Sequence, residues 1–351
     1  MSKKSLLSKV LIGTGVLFGL ATGMNCPTYI NKTNEIIYNV DEEDVVERKV
    51  IIDAADRMLQ LQNANGSWDW DVTNKTAPTA TTYLNIAGVT GEVLLDAFKL
   101  TNNSKYLDAA KKTGDHIVAR IGALPVERHF NAFNMIFLNG LADASGNTAY
   151  SDFVNTKMND LFTKVTYWGD EAKNISTDGI PGLTADELVA AEEVIRGTTV
   201  WGIKPWDLYH FVELAKKVGN NTFANGVATG IENYLNQPSY NDASADSYEL
   251  GLSGGIMGLK NAGRSYNTLL NKLVGKQKAD GSFGTCPVQD TAYALMALDS
   301  VNRTPEAQKA ANYLKDNFEY NGFNGWLESD GREYSETTSE AAHGLYQNHK
   351  K

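Results

Sequence analysis

The feature that most constrains this chain is a helical repeat of apolar residues that begins at Val45 and runs to the C-terminus. Segment after segment places apolar side chains at i, i+3, i+4 and i+7. No stretch sustains the every-other-residue alternation of a strand. The spacing predicts about twelve helices, at 45–61, 82–100, 104–121, 128–144, 148–165, 201–218, 221–235, 246–261, 266–276, 288–301, 305–318 and 335–346, with a short extra helix at 185–195. Turns rich in Gly, Asn and Pro separate them.

Two kinds of helix alternate. One kind carries charge on a face, as in Tyr106-Leu107-Asp108-Ala109-Ala110-Lys111-Lys112. The other is Gly-, Ala- and apolar-rich nearly all round, as in Leu250 to Leu259 and Thr291 to Leu298. A helix apolar on most sides must be buried on most sides. The alternation therefore predicts an all-α fold of two concentric layers, six outer and six inner helices: an (α/α)6 toroid over residues 45–349.

The chain also repeats itself. Gln62-x-x-x-Gly66-Ser67-Trp68 recurs as Gln277-x-x-x-Gly281-Ser282-Phe283, and Gly325-Trp326 is a degenerate third copy. Each copy ends an outer helix and precedes an inner one. Gly turns the chain, the aromatic plugs the space between hairpins, and Gln bonds backbone groups at helix ends.

The second copy, followed by Asp290-Thr291-Ala292-Tyr293-Ala294-Leu295-Met296-Ala297-Leu298, resembles the repeats of squalene-cyclase and prenyltransferase-type (terpenoid cyclase-like) proteins. That resemblance implies an α/α toroid. The segment Lys105-Tyr106-Leu107-Asp108-Ala109-Ala110-Lys111 is similar to outer helices of secreted six-hairpin glycosidases and α/α-barrel pectate lyases, which share the toroid. Function does not follow from that shared fold. The prenyltransferase zinc set is incomplete, since Asp290 matches but Ala292 stands at the Cys position and Thr337 near the His position. The Asp-x-Asp-Asp of triterpene cyclases is missing from the inner-helix starts. Cys286-Pro287-Val288-Gln289 has the Cys-x-x-Gln spacing of complement-type thioester domains, with Pro in place of Gly.

Residues 1–23 read as a signal peptide: Lys3, Lys4 and Lys9 precede an apolar run that ends in Ala21-Thr22-Gly23. The run is short for a bilayer span, so removal and export are expected; an uncleaved segment would instead anchor the chain. Residues 24–44 form an acidic linker, and seven Asn-x-Ser/Thr sequons fit an exported protein. A Cys26–Cys286 bridge cannot be read from two cysteines. The net charge of −10 excludes a nucleic-acid partner. Residues 166–200 interrupt the hairpin rhythm as an inserted loop over the mouth.

Helix dipoles point the inner N-termini at one mouth, so residues opening the inner helices are the site candidates. Asp290, Glu340, Glu336 and Asp207 are the catalytic candidates, because paired carboxylates in unlike environments divide acid and base work. Trp201, Trp206, Tyr248, Glu249, Asp246, His129, Arg128 and Tyr293 are the substrate-binding candidates. Asp also caps helices, which is the plainer role for each acid. His210 and His343 fall inside helices, and no His/Cys spacing matches structural zinc. The expectation is a secreted monomer, a lyase or hydrolase acting on a glycan or other small molecule. No cofactor is predicted, though the acids suit a divalent cation such as calcium. The competing readings are a non-catalytic binding scaffold, an isoprenoid cyclase-like enzyme and a thioester-domain-like protein.

Overall fold

The computed structural model describes residues 29–30, 36–37, 42–78, 86–122, 131–164, 195–196, 199–200, 205–236, 240, 248–320 and 323–350. The chain divides into a unit of residues 1–41 and a unit of residues 42–351. In the first, Tyr29–Ile30 pairs antiparallel with Ile36–Ile37. Residues 1–23 lie outside the described residues. So does most of the inserted loop 166–200, of which Ile195–Arg196 and Thr199–Val200 form a second small antiparallel pair.

The second unit contains twelve described helices. They are α1 Glu42–Leu61, α2 Ala87–Thr101, α3 Ser104–Ile121, α4 Ala132–Ser145, α5 Thr148–Lys164 and α6 Pro205–Lys217, then α7 Asn221–Leu235, α8 Tyr248–Ala262, α9 Asn267–Val274, α10 Pro287–Ser300, α11 Thr304–Asp316 and α12 Ser335–His349. The first helix starts at Glu42 rather than Val45, so residues 42–44 of the expected linker are helical. None of these helices is long and apolar enough to cross a membrane.

The even-numbered helices form a closed inner ring: each packs on the next, and α12 packs on α2. The odd-numbered helices lie outside them, α1 against α2 and α12, α7 against α6 and α8, α11 against α10 and α12. Only Gly-rich helices are thin enough for some inner places. In α8, a Cβ on Gly258 would strike Ile231, and one on Gly251 would strike the Tyr240 hydroxyl.

Short turns fix direction. Five inner helices end on a residue in left-handed backbone, namely Asn102, Gly146, Gly219, Gly263 and Asn302. A two- to four-residue connection folds the next outer helix back antiparallel. All inner helices therefore run the same way, with their N-termini at one end of the ring.

The repeated motif builds two matching connections at that end. Gln62 Nε2 donates to the carbonyls of Gly66 (3.3 Å) and Ala109 (3.0 Å). Gln277 Nε2 donates to those of Gly281 (3.2 Å) and Glu306 (2.8 Å). Each Gln thus ties its own turn to the next outer helix. Gly66 and Gly281 have φ of 93° and 94°, and a Cβ on either would collide with the backbone of Lys112 or Lys309. Trp68 and Phe283 are fully buried, as is Trp326 of the third copy. Trp68 Nε1 donates to the Met58 carbonyl and Trp326 Nε1 to that of Leu314, both at 2.8 Å.

Candidate active site

The turn at Gly281 delivers the chain to the start of α10, where the backbone closes around Asp290. The Cys286 N–H donates to Asp290 Oδ2 at 3.0 Å, and Gly284 lies so close to that carboxylate that a Cβ would overlap it. Asp290 is therefore not the N-cap of the helix, which is Cys286; from inside the first turn its carboxylate reaches back to the N-cap N–H. Its other oxygen, Oδ1, is buried without a hydrogen-bond partner. Burial pushes the Asp290 carboxyl up to about 7, with nearby Glu249 and Glu328 adding to the rise. Glu328 accepts from the free N–H groups of Val288 (3.3 Å) and Gln289 (2.8 Å) at the same helix start. No cation pairs with Asp290 or Glu328 among the described residues.

One turn into α12, Glu340 stands on the wall of the barrel interior. It is 4% exposed. Its oxygens accept from Tyr293 OH and Gln289 Nε2, each at 2.9 Å. Both donors are neutral, so burial holds the Glu340 carboxyl well above the usual range, helped by the charge of Glu336 one turn earlier. Glu336 Oε2 accepts from Trp70 Nε1 at 3.0 Å. The Trp70 and Tyr334 rings lie 5.6 Å apart, and Trp70 is 45% exposed, an apolar plate at the mouth. Trp70 escaped the sequence reading because it follows the buried Trp68 in a connection. The odd–even step between two Trp residues was the available signal.

The structure therefore brings Glu336, Glu340 and Tyr293 into one group, while the acids near Asp290 are Glu249 and Glu328. Tyr248 is buried in an aromatic row with Tyr240, ring centroids 5.3 Å apart, so it packs the core. Glu249 approaches Asp290. Trp206, in α6, packs half-buried against the core. Asp207 is also in α6, but its side chain lies outside the described residues, as do Arg128, His129, Trp201 and Asp246. Cys286 is exposed and free, and the Gln289 amide is held by Glu340.

The interior is a cavity of about 690 Å³. Tyr293 and Glu340 mark its inner end, and Lys99, Lys217, Lys260 and Lys350 lie toward the C-terminal ends of the inner helices. Between them is a polar group that sequence reasoning missed: Glu92 and Asp96 of α2 and His343 of α12. Each offers one ligand atom, and the three atoms lie within 4.8 Å of one another. His343 Nδ1 is 2.6 Å from Asp96 Oδ2, and its Nε2 is 3.0 Å from Gln347 Nε2. Burial opposes a charge on His343, but Asp96 and Glu92 outweigh it and raise the ring's pKa.

No protein-family model matches the sequence, nor does any curated protein sequence. Solved structures do. An inactive variant of an α-1,6-mannanase from Salegentibacter sp., in complex with α-1,6-mannotriose, aligns with a TM-score of 0.54 at 11% identity, over 86% of this chain and 99% of that one. An unsaturated glucuronyl hydrolase specific for heparin aligns with a TM-score of 0.62 at 10% identity, over 88% and 97%. The type II terpene cyclase MstE from Scytonema aligns with a TM-score of 0.57 at 12% identity, over 89% and 99%. The chain has the α/α-toroid fold. At such identities the toroid is what the neighbours share with this chain, and their chemistries differ from one another.

Proposed function

We propose that this α/α-toroid protein is an exported enzyme that cleaves glycans, as a hydrolase or lyase, at the mouth formed by the inner-helix N-termini. The observation that carries this reading is Glu340: a cavity-wall carboxyl, desolvated, bonded only to neutral donors and raised in pKa. A carboxyl kept protonated near neutrality is what a glycosidic oxygen needs from its proton donor. Glu336 is the partner carboxyl one turn away, and Trp70 orients it. Trp70 and Tyr334 offer faces on which sugar rings stack. Asp290 is a second buried carboxyl, its pKa raised to about 7. The interior carries several charged groups, which suits a polar ligand better than an isoprenoid chain. Export is supported by the basic and apolar start of the sequence and by the sequons.

Mannan and uronate-containing oligosaccharides are the first substrates to assay, since two neighbours act on such sugars. Release of reducing ends or of unsaturated products is the readout. Glu340→Gln should lower kcat by roughly 10²- to 10⁴-fold while the protein stays folded. Undiminished turnover in that variant would remove Glu340 from the chemistry.

A further inference from the structure

We propose that Glu92, Asp96 and His343 bind one divalent cation of the zinc class inside the barrel. Glu92 and Asp96 are four apart on α2 and share a helix face. His343 meets them from α12, the helix that closes the ring on α2. Two carboxylates and an imidazole are a recurrent donor set for first-row divalent metals, while calcium and magnesium favour all-oxygen shells. The donor atoms lie within 4.8 Å of one another. A zinc ion bound at ~2.0–2.2 Å holds its ligands about 3.5 Å apart, so small side-chain rotations complete the site.

Three further features point to a ligand. Asp96 is fully buried, yet Oδ1 has no hydrogen-bond partner; its nearest cation is Lys99 Nζ, 3.5 Å away. Glu92 lines the cavity and makes no hydrogen bond among the described residues. Across the interior on α6, the nine-tenths buried His210 leaves Nδ1 without a hydrogen-bond partner, 3.8 Å from Glu213 Oε2. Glu92, Asp96 and Glu213 thus bring three carboxylates to a space that holds two lysines, Lys99 beside Asp96 and Lys217 near Glu213. Gln347 lies against the far nitrogen of His343 and fixes the ring's orientation, as the outer partners of metal-bound imidazoles do.

The test uses the full chain, stripped with a chelator and titrated separately with zinc, manganese and calcium chloride by calorimetry. One zinc ion per chain is expected. Calcium should give no binding at the same concentrations. Glu92→Gln and His343→Gln should each weaken zinc binding by about 10- to 100-fold or more. Glu92→Gln removes no hydrogen bond, so it keeps the fold and isolates the ligand effect; circular dichroism checks this. A wild-type chain that takes up no zinc, or takes up calcium as tightly, overturns the proposal. So does zinc binding at wild-type strength in both variants. The readout is the metal itself, so the result stands whether or not the chain cleaves glycans.

Discussion

The two full copies of the glycine turn solve the same backbone problem and then treat a buried acid in opposite ways. In the first, Asn65 Oδ1 accepts from the N–H and hydroxyl of Ser67; in the second, Asp280 Oδ1 does the same for Ser282. The chain beyond the first turn wraps Glu333, which is fully buried and held bidentate by Arg57 at 2.7 and 3.2 Å. Arg57 also donates to the carbonyls of Lys75 (2.7 Å) and Val72 (3.3 Å), so that pair is fully satisfied. The chain beyond the second turn wraps Asp290, equally buried but without a cation. A compensated acid of this kind holds loops together. An uncompensated one gives up its proton less readily, and a carboxyl that titrates near neutrality at a ligand mouth is a chemical asset. The scaffold is therefore common to both turns, and the charge balance separates structure from candidate function.

Removing the guanidinium should have the largest effect. Arg57→Met leaves Glu333 buried and unpaired, and chemical denaturation should report a loss of about 3–5 kcal/mol. A loss well below that would mean the first turn tolerates a bare acid as the second does. Next in size is Asp290→Asn. The folded-state pKa, about 7, exceeds the unfolded value, so the neutral form's stability contribution is full below pH 4 and lost as pH rises to 7. Asn can still accept the Cys286 N–H and carries no charge. The variant should match wild type near pH 4 and exceed it at pH 8 by an amount on the order of 4 kcal/mol at most. Thermal melts across that range measure it, and parallel curves would show that Asp290 is only a cap. Smallest is Gln277→Ala, which removes two hydrogen bonds and should cost about 1–2 kcal/mol. Gln62→Ala should cost a similar amount if the two turns are energetically alike.

The inner and outer layers were legible because burial on all sides writes itself into composition: α8 is buried from Leu250 to Leu259. The turns were legible because only Gly fits their φ and spacing. Glu340 and Asp290 were legible by place, as acids in the first turns of inner helices. Glu92, Asp96 and His343 were not. They lie mid-helix on apolar segments, and nothing local distinguishes an inward acid from a solvated one. The signal lay in register, since Glu92 and Asp96 recur four apart, as do His343 and Gln347, on helices otherwise too apolar to face water. Relating α2 to α12 requires knowing that the ring closes between them, which no single segment records.

That closure has a further consequence. An open stack of helical hairpins has two ends, each needing a polar cap, and it can shed or gain units one at a time. Here α12 packs against both α1 and α2. Asn348 donates to Glu47 at 3.0 Å across that seam, and Lys315 lies 3.6 Å from the same carboxylate. Each terminal hairpin serves as the other's cap. A seventh hairpin could not simply be appended, because it would have to pry the seam apart and widen the whole ring. A break anywhere would expose two apolar faces together, so the hairpin number is locked by geometry and unfolding should be shared by all of them.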